Sequence, residues 1–117
     1  MANHIDAVFS ALSDPTRRAV IERLAEGALP VSALAARHDM ALPSFMRHIA
    51  VLERAGLVAT RKEGRRRMVA VRPRALAPIE TWLDAQKNLW EGRLARLEAV
   101  ARRIEIETNP MPGKDKP

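Results

Sequence analysis

The chain has 117 residues, 47% hydrophobic and 29% charged, which suits one domain with a modest core and is too apolar for a disordered segment. Cysteine is absent, so disulfides, thiolate metal sites and cysteine nucleophiles are excluded. The net charge of +6 points to an anionic partner, and the scarcity of aromatics (3%) favours helices over a β-sandwich.

The first stretch, "NHIDAVFSAL", spaces Ile5, Val8, Phe9 and Leu12 along one helical face. "SDPTRRAVIERLAEG" carries its own punctuation: Asp14 to cap a second helix, Pro15 at its first position and Gly27 past its end. Val20, Ile21 and Leu24 form its dry side. "PVSALAARHDM" predicts a short third helix capped by Ser32, with Leu34 and Ala35 inward, then a tight connection through Asp39 and Met40. A fourth helix is expected over Pro43 to Ala55. Its stripe is Phe45, Ile49 and Leu52, and Pro43, Met46, Arg47, Ala50 and Arg54 lie opposite. Gly56 suits the position after that helix, with Leu57 folding back onto it. Two strands follow, "LVATRK" and "RRMVAV", joined by Glu63-Gly64, where Gly64 supplies the positive φ of a tight turn. Pro73 closes the second strand. From Pro78 to about Glu107 a long helix carries Ile79, Leu83, Trp90, Leu94, Leu97, Ala101 and Ile104 on one stripe, widened by Trp82 and Leu89. The expected division is a domain over residues 1–107 and a disordered tail over 108–117.

No apolar run approaches the roughly 18 residues of a membrane span, and the N-terminus lacks the basic start and apolar core of a signal peptide. A cytoplasmic protein without membrane contact is expected. Arg61, Lys62, Arg65, Arg66, Arg67, Arg72 and Arg74 are seven of the twenty Lys and Arg residues, set against one acid, Glu63. Two short helices around a turn, the second followed by this basic hairpin, make a winged helix-turn-helix: a mainly α fold with a small β-hairpin wing and a long C-terminal helix. A helix of that size fits the major groove of double-stranded DNA, and arginines on a wing neutralise phosphates. The plainer reading of the hairpin is a solvated edge blunted by Lys and Arg. A second functional class also stays open, a winged-helix module that sets its basic wing against an acidic protein.

Enzyme chemistry finds no support. The three histidines, His4, His38 and His48, fall on different segments, and there is no HExxH, no GxSxG and no phosphate-binding glycine loop. Neither a cofactor nor a metal is expected.

The run "ALSDPTRRAVIERL", then "PVSALAARHDMALPSFMRHIAVLERAGLV", then "RKEGRRRMVAV" resembles the ArsR family of winged-helix repressors, and the likeness extends to about Ile104. With "WLDAQKNLWEGRLARLE" the chain is similar to a branch whose members lack the family's metal sites. The resemblance implies a homodimer joined through the first and last helices, bound to a pseudo-palindromic operator and blocking transcription. It assigns no inducer or effector. Two departures stand out. The family often has Ser where Ala41 precedes the fourth helix, so a capping hydroxyl is missing. A second common Ser is replaced by Met46, which presents an apolar surface suited to a thymine methyl.

The residues expected at DNA are Leu42, Ser44, Met46, Arg47 and His48 on the fourth helix and Arg61, Lys62, Arg65, Arg66 and Arg67 on the hairpin. Arg47 is the candidate base reader, with a phosphate contact as its alternative. For His48 a satisfied, partly buried position stands beside base reading, and Ser44 either bonds a phosphate or caps the helix. The residues expected at the dimer seam are Ile5, Phe9, Trp82, Leu83, Trp90, Leu94, Leu97 and Ala101. For Trp82 and Trp90, lining a small-molecule pocket is the alternative.

Overall fold

The structure, a computed structural model, describes residues 4–108. The expected tail therefore lies outside the described residues, apart from Thr108, which is the last helical residue and donates from Oγ1 to the Ile104 carbonyl at 2.7 Å. The described residues fall into two compact units, one ending at Glu80 and one beginning at Thr81.

In the first unit, helix α1 (His4–Leu12) is followed by α2 (Pro15–Arg23) and a 3₁₀ turn over Leu24–Glu26. Asp14 caps α2 as its sequence position predicts, its carboxylate accepting from the Arg17 N–H at 3.0 Å, with Pro15 at the first position. The α-helix closes earlier than Gly27 because the chain tightens into the 3₁₀ turn, and Gly27 ends that turn at φ 143°. The dry face of α1 is rotated from the expected one. Val8 and Ala11 are wholly buried, with Ala7 and Leu12 packed against the core beside them, whereas Phe9 is 42% exposed.

Strand β1 (Leu29–Pro30) was not expected. It pairs antiparallel with β3 (Arg66–Val71), Leu29 opposite Val69 and Pro30 opposite Met68. Helix α3 (Val31–Ala35) springs directly from it, so the capping position is Pro30 and Ser32 lies inside the helix, not at its cap. The connection to α4 (Leu42–Arg54) turns through Asp39 and Met40. His38 stacks on Phe45 across it with ring centres 5.5 Å apart.

Helix α4 buries Phe45, Ile49 and Leu52, the stripe that its sequence spacing predicts. At its end the Gly56 N–H donates to the Glu53 carbonyl and the Leu57 N–H to the Leu52 carbonyl, each at 3.0 Å, with Gly56 at φ 80°. This is a Schellman ending, and it buries Leu57 against the core. Strand β2 (Val58–Glu63) then pairs with β3 from Val58 opposite Val71 to Glu63 opposite Arg66. Glu63 is thus in the strand, and the two-residue loop is Gly64-Arg65, one step beyond the expected Glu63-Gly64. Positive φ at Gly64 (63°) and not at Arg65 is the pattern of a type II′ turn, whose twist matches that of the flanking strands. The sheet order is β1-β3-β2. The core joins Val8, Val20, Leu24, Leu34, Phe45, Ile49, Leu52, Leu57, Val58 and Val69, each worth about 1.5–3 kcal/mol of burial for the larger side chains.

Helix α5 (Ala77–Thr108) begins in this unit, where Ile79 packs against the core, and its remaining residues make up the second unit. No residue of α5 is buried, and Leu83, Trp90, Leu94, Leu97 and Ile104 are all exposed. The architecture is a winged helix-turn-helix with a long C-terminal helix. Among the described residues no helix is long and apolar enough to cross a membrane.

Candidate nucleic-acid interface

Helix α4 presents its outward side from the first turn. Leu42, its first residue, is 56% exposed, and Pro43, Arg47 and Arg54 are exposed with it. Met46 is half-buried and packs against the rim of the core, so only part of its thioether faces out. The cap residue is Ala41, with no side-chain hydrogen bond, as the missing hydroxyl implies. Ser44 sits inside the first turn, so the capping alternative proposed for it falls.

His48 is held by groups that sequence spacing did not bring together. Arg17 Nη1 lies 3.0 Å from His48 Nδ1. A guanidinium only donates, so this contact requires a bare Nδ1 and leaves the ring proton on Nε2. The same arginine donates from Nε to the Ala11 carbonyl at 2.6 Å and from Nη2 to the Ser10 carbonyl at 3.2 Å. Arg18 Nη1 reaches the Leu12 carbonyl at 2.9 Å. The paired arginines of "SDPTRR" therefore satisfy the open C-terminal carbonyls of α1, where cations also complement the helix dipole. Asp14 Oδ2 stands 3.8 Å from His48 Nδ1. Partial desolvation pushes the Asp14 carboxyl up. The Arg17 N–H bond, the neighbouring His48 ring and Arg17 guanidinium, and the Thr16 N–H outweigh it and hold the pKa below its ordinary 3.8. Nothing in the sequence signals this cluster, because Arg17 and His48 are 31 residues apart.

On the wing, Arg61, Lys62, Arg65, Arg66 and Arg67 are all exposed. Arg61 is bound to Glu63, Nη2 to Oε2 at 2.8 Å. Arg67 Nη1 donates to Thr60 Oγ1 at 2.9 Å, and Thr60 Oγ1 donates to Glu53 Oε2 at 3.1 Å, which links the wing to the last turn of α4. Thr60 and Glu53 were not anticipated. The side chains of Lys62, Arg65 and Arg66 make no hydrogen bond or ion pair among the described residues. Leu42 and Met46 of α4 and Arg65, Arg66 and Arg67 of the wing line one shallow groove, with Val31 and Ser32 at its side.

The chain is similar in sequence to the HTH-type transcriptional regulator Rv2034 of Mycobacterium tuberculosis, 43% identical over 79 residues, which are 68% of this chain and 74% of that one. A crystal structure of an ArsR family transcriptional regulator, RHA00566, is 48% identical and superposes with a TM-score of 0.73 over 76% of this chain and 98% of its own. The chain belongs to the ArsR family. A helix-turn-helix domain family matches residues 12–61, which span α2, α3, α4 and most of β2. A solution structure of the homodimeric winged helix-turn-helix DNA-binding domain Mb0332 of Mycobacterium bovis is 25% identical, with a TM-score of 0.59 over 73% of this chain and 79% of that one. This ArsR family member is a transcription regulator rather than an enzyme, and its winged helix-turn-helix is a DNA-binding fold.

Proposed function

We propose that the protein is a homodimeric repressor that reads a pseudo-palindromic operator with α4 and grips the flanking backbone with its wing. The observation that carries this reading is the shared groove. The outward start of α4 forms one wall, and wing arginines form the other, with Arg65 and Arg66 in no ion pair among the described residues. Arg47, exposed on α4, is assigned to a guanine edge, where a bidentate contact to O6 and N7 gives base discrimination. Lys62, Arg65 and Arg66 are assigned to phosphates, joined by Ser44 and, as the DNA draws them from Glu63 and Thr60, by Arg61 and Arg67. His48 offers only its Nε2–H, since Nδ1 is engaged.

The dimer is assigned to α5. Trp90, Leu94, Leu97, Ala101 and Ile104 succeed one another at spacings of four and three, the rhythm of a two-helix seam, and all are exposed. Trp82 and Leu83 extend that stripe, and Ile5 and Phe9 of α1 are added on the family resemblance. Two recognition helices related by a two-fold axis would meet half-sites about 34 Å apart in successive major grooves. Repression is the mode that the resemblance implies.

The test is binding to random duplexes and to an enriched operator at several salt concentrations. Arg66→Ala should weaken all sequences alike and lower the salt slope by about 0.9 for each phosphate no longer neutralised. Arg47→Ala should cost about 1–3 kcal/mol and relax preference at one base position. Binding that ignores salt would refute the reading, and would favour an acidic protein as the partner of the wing.

A further inference from the structure

Resting on the DNA-binding reading above, we propose that Leu42 and Met46 form a reading patch for the C5 methyl group of a thymine in each half-site. Leu42 is the first residue of α4 and more than half exposed, on the part of a recognition helix that meets base edges. Met46 lies four residues on, so the two side chains share one face of the helix. Met46 is backed by the core on one side, and it lines the same groove as Leu42.

The opposite wall of the groove is made of arginines. A surface built this way places an apolar spot next to cations that take up phosphate charge. A thymine presents that combination in the major groove, where its methyl is the one apolar feature among the base edges. Neither Leu42 nor Met46 has a side-chain donor that could satisfy a guanine or adenine acceptor, and the Met46 thioether is at most a weak acceptor for the cytosine amino group. The patch therefore distinguishes bases chiefly by the methyl. Leu42 is not covered within its unit, and contact with the methyl would take both surfaces out of water.

The experiment uses the full chain. Random duplexes are enriched for binding, and each thymine of the best site is replaced in turn by deoxyuridine, which keeps the pairing and removes only the methyl. Affinities are measured at one fixed salt concentration by fluorescence anisotropy. One thymine in each half-site should respond, with about fourfold weaker binding, the ratio that corresponds to about 0.8 kcal/mol for one buried carbon group. At that position 5-methylcytosine should bind better than cytosine by a similar factor. In Leu42→Ala and in Met46→Ala the uracil penalty should shrink towards none. Leu42 is exposed, so Leu42→Ala keeps the fold even if Met46→Ala loosens the core.

Enriched sites that tolerate uracil at every position would overturn the proposal, as would a uracil penalty that persists undiminished in Leu42→Ala. Failure of the underlying reading looks different. In that case no sequence is enriched at all, and the patch falls with it.

Discussion

Arg17 offers the sharpest test of how the recognition helix is held. Arg17→Met keeps a long side chain and a comparable helix propensity, and the Asp14 cap bond to the Arg17 backbone N–H survives. Three side-chain hydrogen bonds disappear, but they do not weigh equally. The Ser10 carbonyl keeps the Ser13 N–H at 3.2 Å and the Ser13 hydroxyl at 2.6 Å, so its loss is close to neutral. The Ala11 carbonyl belongs to a wholly buried residue and has only Pro15, which lacks an N–H, at the position four residues on. Stranding it should cost about 1–3 kcal/mol. The His48 bond adds about 1 kcal/mol, so about 2–4 kcal/mol is expected in all. Urea unfolding at neutral pH and fixed protein concentration should show a lower midpoint with an unchanged slope. A double-mutant cycle with His48→Ala should return a coupling of about 0.5–1.5 kcal/mol. A loss under about 0.5 kcal/mol, or no coupling with His48, would refute the argument that Arg17 clasps α1 to α4.

Three further outcomes can be checked directly. Ala41→Ser supplies the hydroxyl that α4 lacks at its cap and should raise stability by about 1 kcal/mol, seen as a higher melting temperature. Leu97→Glu sets a charge on the exposed α5 stripe, where Leu97 is 64% exposed, and sedimentation should report monomer or aggregate; an unchanged dimer would move the seam elsewhere. Asp14→Asn keeps a good cap but removes a carboxylate whose pKa is lowered by folding. A lowered pKa contributes stability above the ordinary value of 3.8 and loses it as pH falls through the lower, folded value. The variant should therefore be somewhat less stable near neutrality and lose less stability below pH 3.8 than the parent, in urea titrations taken across that range.

What the sequence made legible was local. The α4 stripe, the Asp14 cap, the Gly56 ending and the Gly64 turn each depend on residues within one or two turns of each other. Spacing and backbone preference report such features directly. The features that were missed depend on distant partners. β1 is two residues long and includes a proline, and only β3 makes it a strand. With Pro30 drawn into that pairing, α3 starts without a hydroxyl cap, which is why Ser32 misled. The rotation of α1 follows the same rule, since Ala11 reads as neutral in sequence and becomes core only once its helix is packed. At the interface the exposed positions were readable from the α4 stripe. The links among Arg17, His48, Thr60 and Glu53 were not, because polar side chains at long separation leave no periodic trace.

The contacts on the inner side of α4 also bear on how readily this regulator could be given a new target. Its recognition helix is not an interchangeable cassette. Phe45 is seated on the ring of His38 in the preceding turn, and His48 is engaged by a guanidinium from α2 that also holds the end of α1. A segment over 42–54 transplanted from a relative would arrive with an inner surface cut for other neighbours. Retargeting should succeed at the outward positions Leu42 and Arg47 with Phe45, His48, Ile49 and Leu52 left in place, whereas a wholesale exchange would have to bring residues 14, 17 and 38 along.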